Sequence, residues 1–134
     1  MNTDGDGLKH KQLTGEIIRV YYEVYDELGH GFLESVYQKC LGISLHEAGL
    51  TVCSPVAIPV WFHGRQVGNF VGDMLVENTV LLELKAVRAL DGSHQAQLLN
   101  YLRATEIEVG MLLNFGVKPE FKRLLFDNPR KRVR

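Results

Sequence analysis

Acidic and basic side chains interrupt the apolar segments of this chain, and they are its clearest sign of chemistry. Glu34 lies in a segment with helical periodicity, and Asp73 lies in a segment with strand-like composition. Glu83 and Lys85 lie in the most apolar run of the sequence. Charged residues avoid protein interiors unless they are paired or bind a metal. Because carboxylates are hard oxygen ligands, the set predicts a centre for magnesium or manganese rather than zinc.

The segment from 73 to 85 indicates how these side chains meet. Alternate side chains of a strand share a face, so Glu83 and Lys85 project to the same side of a sheet. A three-residue connection at 77–79 places Asp73 directly opposite Glu83, whereas a two-residue loop turns Asp73 to the other face. Two opposed carboxylates repel each other, so one must take up a proton unless a cation lies between them.

A row of polar side chains follows this strand. His94, Gln97 and Tyr101 are spaced three and four residues apart, so they share one face of a helix. Their polar groups could orient a water molecule, the lysine or a phosphate. A Gln and a Tyr at the edge of a buried helix face have a purely structural role just as often, in which they only pack and form hydrogen bonds.

The elements that hold these residues follow from the periodicity of the sequence. Helical spacing predicts helices over 14–28 and 32–48, each followed by a glycine, and a third that starts at Ser93 and reaches Thr105. Strand composition is found in five segments: 51–62, 65–76, 79–87, 108–115 and 121–126. This order, two helices, a three-stranded meander, a helix and one or two strands, predicts a single α/β domain with helices packed on a sheet. Residues 1–12 and 128–134 are expected to be flexible ends.

The second helix has apolar residues on two sides. Leu41 and Leu45 form one stripe, and Val36 and Ile43 lie on the far side, which predicts a largely buried helix. Glu34 shares the stripe of the two leucines. It is therefore expected to face the core, where a bound metal would account for a buried acid.

Composition limits the classes of function. Apolar residues make up 46% and charged residues 23% of the 134 residues, and no apolar run approaches the roughly 18 residues of a membrane helix. The start of the chain is polar, so a cytoplasmic location is expected. The net charge of −1 gives no overall attraction to nucleic acid, so a phosphate-binding surface must be local. The basic end, 130–134, could contact nucleic acid but is more typical of a solvated terminus.

Four motifs in order give the chain a family resemblance. Gly31-x-x-Glu34-x-x-Tyr37 resembles the signature of the GxxExxY family, which is similar to the PD-(D/E)XK nuclease superfamily. The resemblance continues through Asp73 and Glu83-x-Lys85 to Gln97-x-x-x-Tyr101, which is similar to the Q-x-x-x-Y motif of RecB-like nucleases. The segment 111–116 also resembles the family. The motifs together span most of the chain.

The resemblance implies a restriction-endonuclease-like α/β core, a mixed central sheet flanked by helices. It implies that Glu34, Asp73, Glu83 and the carbonyl of Leu84 bind the metal. Lys85 would then position the attacking water or help to deprotonate it. Gln97 and Tyr101 would support the lysine and the scissile phosphate. The chain has only Cys40 and Cys53, so it departs from RecB-like enzymes that bind an iron-sulfur cluster through four cysteines.

Three functions are compatible with these residues. The first is a nuclease, dependent on Mg²⁺ or Mn²⁺, that hydrolyses phosphodiester bonds, with DNA as the expected partner. The second is a non-catalytic module of the same fold that binds nucleic acid or a protein. The third is a metal-dependent enzyme acting on a nucleotide or another phosphorylated metabolite. The weakly charged surface suggests that a second copy of the chain or a protein partner helps to hold the substrate.

Overall fold

The computed structural model describes residues 9–131. Its helices are α1 (Lys11–Leu28), α2 (Glu34–Glu47) and α3 (Gly92–Arg103), and a 3₁₀ turn covers Asn128–Arg130. Its strands are β1 (Val52–Cys53), β2 (Val56–Phe62), β3 (Arg65–Gly72), β4 (Met74–Val76), β5 (Val80–Lys85), β6 (Val109–Phe115) and β7 (Pro119–Leu125).

Five strands form a central mixed sheet in the order β1-β4-β5-β6-β7. Only the β5–β6 pair is parallel, and α3 makes the crossover between these two strands. Helices α1 and α2 cover one face, where the core includes Tyr21, Leu41 and Leu82. Helix α3 covers the other face, where Leu81 and Leu98 are buried. This arrangement confirms the predicted α/β fold, a restriction-endonuclease-like mixed sheet flanked by helices.

The turn between β4 and β5 has the predicted length and register. Val76 pairs with Val80 across the three-residue connection, and Met74 pairs with Leu82. Asn78 adopts the left-handed conformation with φ of 54°, as expected for this kind of loop. The register therefore turns Asp73, the residue before β4, toward the end of β5 that carries the acidic and basic side chains.

The predicted three-stranded meander is wrong, because the segments 51–62 and 65–76 each divide between two sheets. Strands β2 and β3 pair only with each other and form a hairpin outside the central sheet. Pro55 lacks an N–H group and cannot donate to a ladder where the first segment divides. The hydroxyl of Ser54 donates to the carbonyl of Asp73 at 2.7 Å, where a strand partner would otherwise bond.

Helix α2 is buried on one side only. Leu41 and Leu45 are fully buried, but Ile43 is 58% exposed, so the prediction of a largely buried helix is wrong. Glu34 is also exposed, and it lies in the first turn of the helix. The expectation that Glu34 faces the core is therefore wrong, because its carboxylate instead accepts from the N–H of Ala86, just beyond the end of β5.

Helix α3 begins slightly earlier than predicted. Asp91, not Ser93, is the N-cap, and its side chain accepts hydrogen bonds from the N–H groups of Ser93 and His94. The Nδ1 atom of His94 accepts a hydrogen bond from the N–H of Asp91 at 3.0 Å. His94 therefore completes a capping box, which satisfies N–H groups that a helix start leaves unpaired.

Part of each end that was expected to be flexible has regular secondary structure in the described residues. Residues 11 and 12 open helix α1, and residues 128–130 form the 3₁₀ turn. The ammonium of Lys131 is buried and donates to the carbonyls of Thr105 and Ile107. The rest of this expectation, residues 1–8 and 132–134, lies outside the described residues. Over the described range, none of the helices combines the length and the apolar character needed to cross a lipid bilayer.

Candidate active site

Asp73 and Glu83 are held together by reciprocal contacts with the backbone. The N–H of Asp73 donates to Oε2 of Glu83 at 2.7 Å. The Oδ2 atom of Asp73 accepts a hydrogen bond from the N–H of Leu84, also at 2.7 Å. These two hydrogen bonds fix both side chains at one end of β5.

These contacts continue a strand ladder with side chains. Strand β4 begins at Met74, so within residues 9–131 the N–H groups of Leu84 and Ala86 have no strand partner on that edge of β5. Asp73 accepts from Leu84, and Oε2 of Glu34 accepts from Ala86 at 3.0 Å. Backbone donors near the interior must find acceptors, and here two carboxylates provide them.

The Gly31-x-x-Glu34-x-x-Tyr37 motif fixes the segment that delivers Glu34. Gly31 has φ of 112°, a conformation that favours glycine. The hydroxyl of Tyr37 donates to the carbonyl of Gly29 at 2.6 Å and accepts from the N–H of Phe32 at 3.2 Å. Because the ring of Tyr37 is fully buried, it anchors this loop to the core and sets the position of the first turn of α2.

Burial dominates the electrostatics of the pair. Glu83 is only 5% exposed. Burial, followed by repulsion from Asp73, raises the pKa of Glu83 to about 7. Burial also raises the pKa of Asp73, while the N–H of Leu84 and the charge of Lys85 oppose that rise. The charge of Glu34 raises the pKa of both acids. The pair therefore favours an added positive charge.

A glycine makes room for the buried carboxyl group. A Cβ atom at Gly72 would lie 3.3 Å from Oε2 of Glu83 and 2.9 Å from Cδ1 of Ile58. Both distances are tighter than ordinary contacts between heavy atoms. The glycine at the end of β3 therefore allows the hairpin to pass close over Glu83 and shield it from solvent.

Lys85 and the polar row of α3 meet on the hairpin side of the sheet. The ammonium of Lys85 donates to Oε1 of Gln97 at 3.5 Å. Tyr101 is largely buried, and its pKa is raised by burial and by the carboxylates of Glu83 and Asp73. The sequence therefore predicted the proximity of Lys85, Gln97 and Tyr101 to the two acids, whereas His94 serves the helix start instead.

The donor set fits a hydrated divalent ion. Across residues 9–131, no three His, Cys, Asp or Glu side chains converge closely enough to hold a metal together. Each carboxylate of Glu34, Asp73 and Glu83 uses one oxygen for a backbone N–H and keeps the other free of such bonds. Mg²⁺ is commonly bound by one or two carboxylates and several waters. The buried, mutually repelling pair of Asp73 and Glu83 matches that mode of binding.

The carbonyl of Leu84 is also suitably placed. In a strand, the N–H and C=O of one residue point to the same edge. The N–H of Leu84 bonds to Asp73, so its carbonyl faces the same edge of β5 as the carboxylates. This orientation supports the ligand role that the family resemblance implies for Leu84.

Asn114 positions the chain that follows Lys85, and the sequence interpretation did not assign it this role. Its side chain is fully buried in β6. Its Oδ1 accepts from the N–H of Val87 at 3.0 Å, and its Nδ2 donates to the carbonyl of Val87 at 2.9 Å. A polar amide inside an apolar strand, two residues before Gly116, was the available signal. These two hydrogen bonds hold the segment that follows β5, beyond the last residue of β5 that pairs with β6.

Replacing Gly116 with alanine is expected to reduce the free energy of unfolding by about 2 to 3 kcal/mol, because the new atom overpacks the interior. A Cβ atom at Gly116 would lie 2.3 Å from the carbonyl oxygen of Val87. Urea denaturation measures the change. Gly15→Ala is the matched control, because no heavy atom lies within 4 Å of a Cβ there and α1 should gain about 0.5 to 1 kcal/mol. Equal effects of the two substitutions would refute this account of Gly116.

A family model assigns the chain. It matches residues 11–124 and describes the PD-(D/E)XK nuclease superfamily. The chain belongs to this superfamily. PD-(D/E)XK nucleases generally use divalent metals.

A solved structure supports the fold of this PD-(D/E)XK protein. The crystal structure of SSO0001 superposes with a TM-score of 0.54 at 16% sequence identity, over 69% of this chain and 50% of that one. The chain thus spans about half the length of SSO0001. No curated protein matches the sequence.

Proposed function

We propose that this PD-(D/E)XK protein is a GxxExxY-type, RecB-like nuclease that uses Mg²⁺ or Mn²⁺ to hydrolyse phosphodiester bonds in DNA. The observation that carries the proposal is the buried pair of Asp73 and Glu83 beside Lys85 at the end of β5. Hydrolysis of a phosphodiester needs an activated water and neutralisation of charge on the phosphate oxygens. A divalent ion held by the carboxylate pair, together with the adjacent ammonium, would provide both.

The proposed ligands are Asp73, Glu83 and the carbonyl of Leu84, with Glu34 at the margin of the site. When bound, the metal lowers the pKa of a coordinated water and neutralises phosphate charge. Glu34 meets the same edge of β5 two residues beyond Leu84, through the N–H of Ala86. Its carboxylate can thus act through a water ligand or by orienting the strand.

Lys85, Gln97 and Tyr101 act on the substrate side. The ammonium of Lys85 would hold the attacking water near the two acids, and its positive charge would stabilise the hydroxide that forms as the water loses its proton to solvent. The amide of Gln97 restrains the lysine through the contact at 3.5 Å. The hydroxyl of Tyr101 is a phenol, which is protonated at neutral pH, so it can donate a hydrogen bond to a phosphate oxygen. Burial and the two carboxylates raise its pKa further.

Asp73→Asn tests the proposal with little change in shape. The amide oxygen of the variant can still accept from the N–H of Leu84, but the negative charge that attracts the ion is lost. Labelled DNA incubated with Mn²⁺ should be cleaved by the unmodified protein, not in the presence of a chelator, and at least about 100-fold more slowly by the variant. Asp26→Asn, an exposed change in α1, is the matched control. Cleavage that survives both the chelator and Asp73→Asn would rule out this centre.

A further inference from the structure

A groove lies between the β2–β3 hairpin and helix α3, beside the candidate active site. It has a volume of about 560 Å³, and its lining includes Val60 and Phe70 from the hairpin and Gln97, Tyr101 and Arg103 from the helix. Gln97 bonds to Lys85, and Tyr101 is close enough to Glu83 for the acid to raise its pKa. The groove is therefore continuous with the proposed site of hydrolysis.

Phe70 offers an aromatic ring to this groove. It is 51% exposed, and its ring centre lies 6.1 Å from that of Tyr101. A Cβ atom at Gly68 would lie 3.1 Å from the Phe70 ring, so the glycine provides the space in which the ring lies along the hairpin. An exposed phenylalanine held in a defined position presents a flat surface on which another ring can stack.

Arg103 gives the groove a positive charge, and Arg130 contacts the same aromatic ring as Arg103. The guanidinium of Arg103 lies 4.9 Å from the ring centre of Phe126, and that of Arg130 lies 4.7 Å from the same ring. Arg103 also donates to the side chain of Asn100 at 2.9 Å. Neither arginine forms a salt bridge with an acid in residues 9–131. Both cations are thus held in position with their charges unneutralised.

Among residues 9–131, the lining of the groove contains no acid, and it combines aromatic rings, amides and a cation. This chemistry matches a nucleotide, because an unpaired base can stack on an aromatic ring while its phosphate binds a guanidinium. A base within a duplex is stacked on its neighbours and cannot reach such a surface.

We propose that the groove between the hairpin and α3 binds an unpaired base of the substrate strand against Phe70, with the neighbouring phosphate at Arg103. The inference rests on the proposed nuclease function, and it specifies the substrate as single-stranded or locally unpaired nucleic acid. Phe70 and Arg103 thereby determine which strand reaches Lys85 and the two acids.

Binding without divalent ions tests the inference separately from catalysis. Fluorescence anisotropy in the presence of a chelator measures the affinity for a labelled thymidine oligonucleotide and for a duplex of the same length. The single strand is expected to bind more tightly. Phe70→Ala should weaken single-strand binding about 5- to 150-fold, which corresponds to the loss of one stacked base.

The hairpin provides a matched control for Phe70→Ala. Phe62 is 57% exposed, but it pairs with Arg65 beside the turn of the hairpin and is not among the residues that line the groove. Phe62→Ala is therefore expected to leave the affinity unchanged. Circular dichroism and the melting temperature show whether both variants retain the fold, as their exposure leads us to expect.

An abasic oligonucleotide identifies what the ring contacts. It keeps the phosphates but lacks bases, so the unmodified protein should bind it more weakly than the thymidine strand. The unmodified protein and Phe70→Ala should bind the abasic strand with nearly the same affinity. Arg103→Gln should reduce the slope of log affinity against log salt by about 0.7.

Several results would overturn the inference. They are equal affinity for single strand and duplex, an unaltered affinity of Phe70→Ala, or an equal loss for the thymidine and abasic strands. The last result would instead indicate that Phe70 contacts the sugar-phosphate backbone rather than a base. Single-strand binding that depends on Phe70 in a protein that does not cleave DNA would refute the proposed nuclease function and retain the binding site.

Discussion

Lys85→Ala is expected to slow DNA cleavage by at least about 100-fold while metal binding persists. Lys85 lies beside the acids on the same face of β5 as Glu83, and its charge lowers the pKa of both Asp73 and Glu83. Its ammonium contacts Gln97 and forms no salt bridge with an acid within the described part of the chain. The lysine is therefore available to the attacking water rather than committed to holding the fold.

The measurement separates the lysine from the metal. Single-turnover cleavage gives the rate, and calorimetric titration with Mn²⁺ gives the affinity for the ion. Loss of a nearby positive charge should leave that affinity equal or raise it. Lys39→Ala, an exposed change in α2, controls for the removal of a surface charge. A cleavage rate within about threefold of the unmodified rate would exclude Lys85 from the chemical step, because general acid–base groups contribute far more.

The part of the site that local rules determine could be predicted from the sequence. The three-residue connection at 77–79 fixed the register of β4 and β5, and that register brought Asp73 to Glu83. The alternation of side chains placed Lys85 on the face covered by α3, where Gln97 meets it. Turn geometry and the period of a strand are properties of neighbouring residues, so a sequence can reveal them.

Contacts between distant segments could not be predicted in the same way. Glu34 shares a helical stripe with buried leucines, yet its carboxylate lies exposed at the N–H of Ala86, 52 residues away. The division of the predicted meander likewise depends on Ser54 bonding to the backbone of Asp73. Asn114 is a polar residue in an otherwise apolar strand, and only the tertiary structure shows its two hydrogen bonds to Val87. In each case a side chain replaces a missing strand partner, which periodicity does not reveal.

Without divalent ions, the free energy of unfolding is expected to fall by about 3 kcal/mol as the pH rises from about 4.5 to 7, owing to Glu83. The pKa of Glu83 is raised to about 7 in the fold from an ordinary value of 4.5. Below both values the acid is protonated in the folded and unfolded states, and the stabilisation is fully present. Between them the folded state binds more protons, so stability decreases with pH and levels off above about 7.

Urea denaturation at a series of pH values, with a chelator present, measures this fall. Glu83→Gln should remove most of this decrease in unfolding free energy, because the amide side chain cannot ionise. Its oxygen can still accept from the N–H of Asp73. Asp73, whose pKa is also raised, accounts for a remaining fall of the same sign. Glu27→Gln, an exposed change in α1, should leave the profile unchanged. A profile that rises with pH in the unmodified protein would contradict the burial of an ionisable Glu83.

Adding Mg²⁺ should reverse this trend if Asp73 and Glu83 bind the ion. The ligands must be deprotonated, so the increase in unfolding free energy on adding Mg²⁺ is expected to be larger at pH 8 than at pH 6. Glu83→Gln removes one ligand charge and should abolish most of the increase at both pH values. Because this readout requires neither substrate nor turnover, an increase independent of pH and of Glu83 would place the metal elsewhere even in a protein that cleaves DNA.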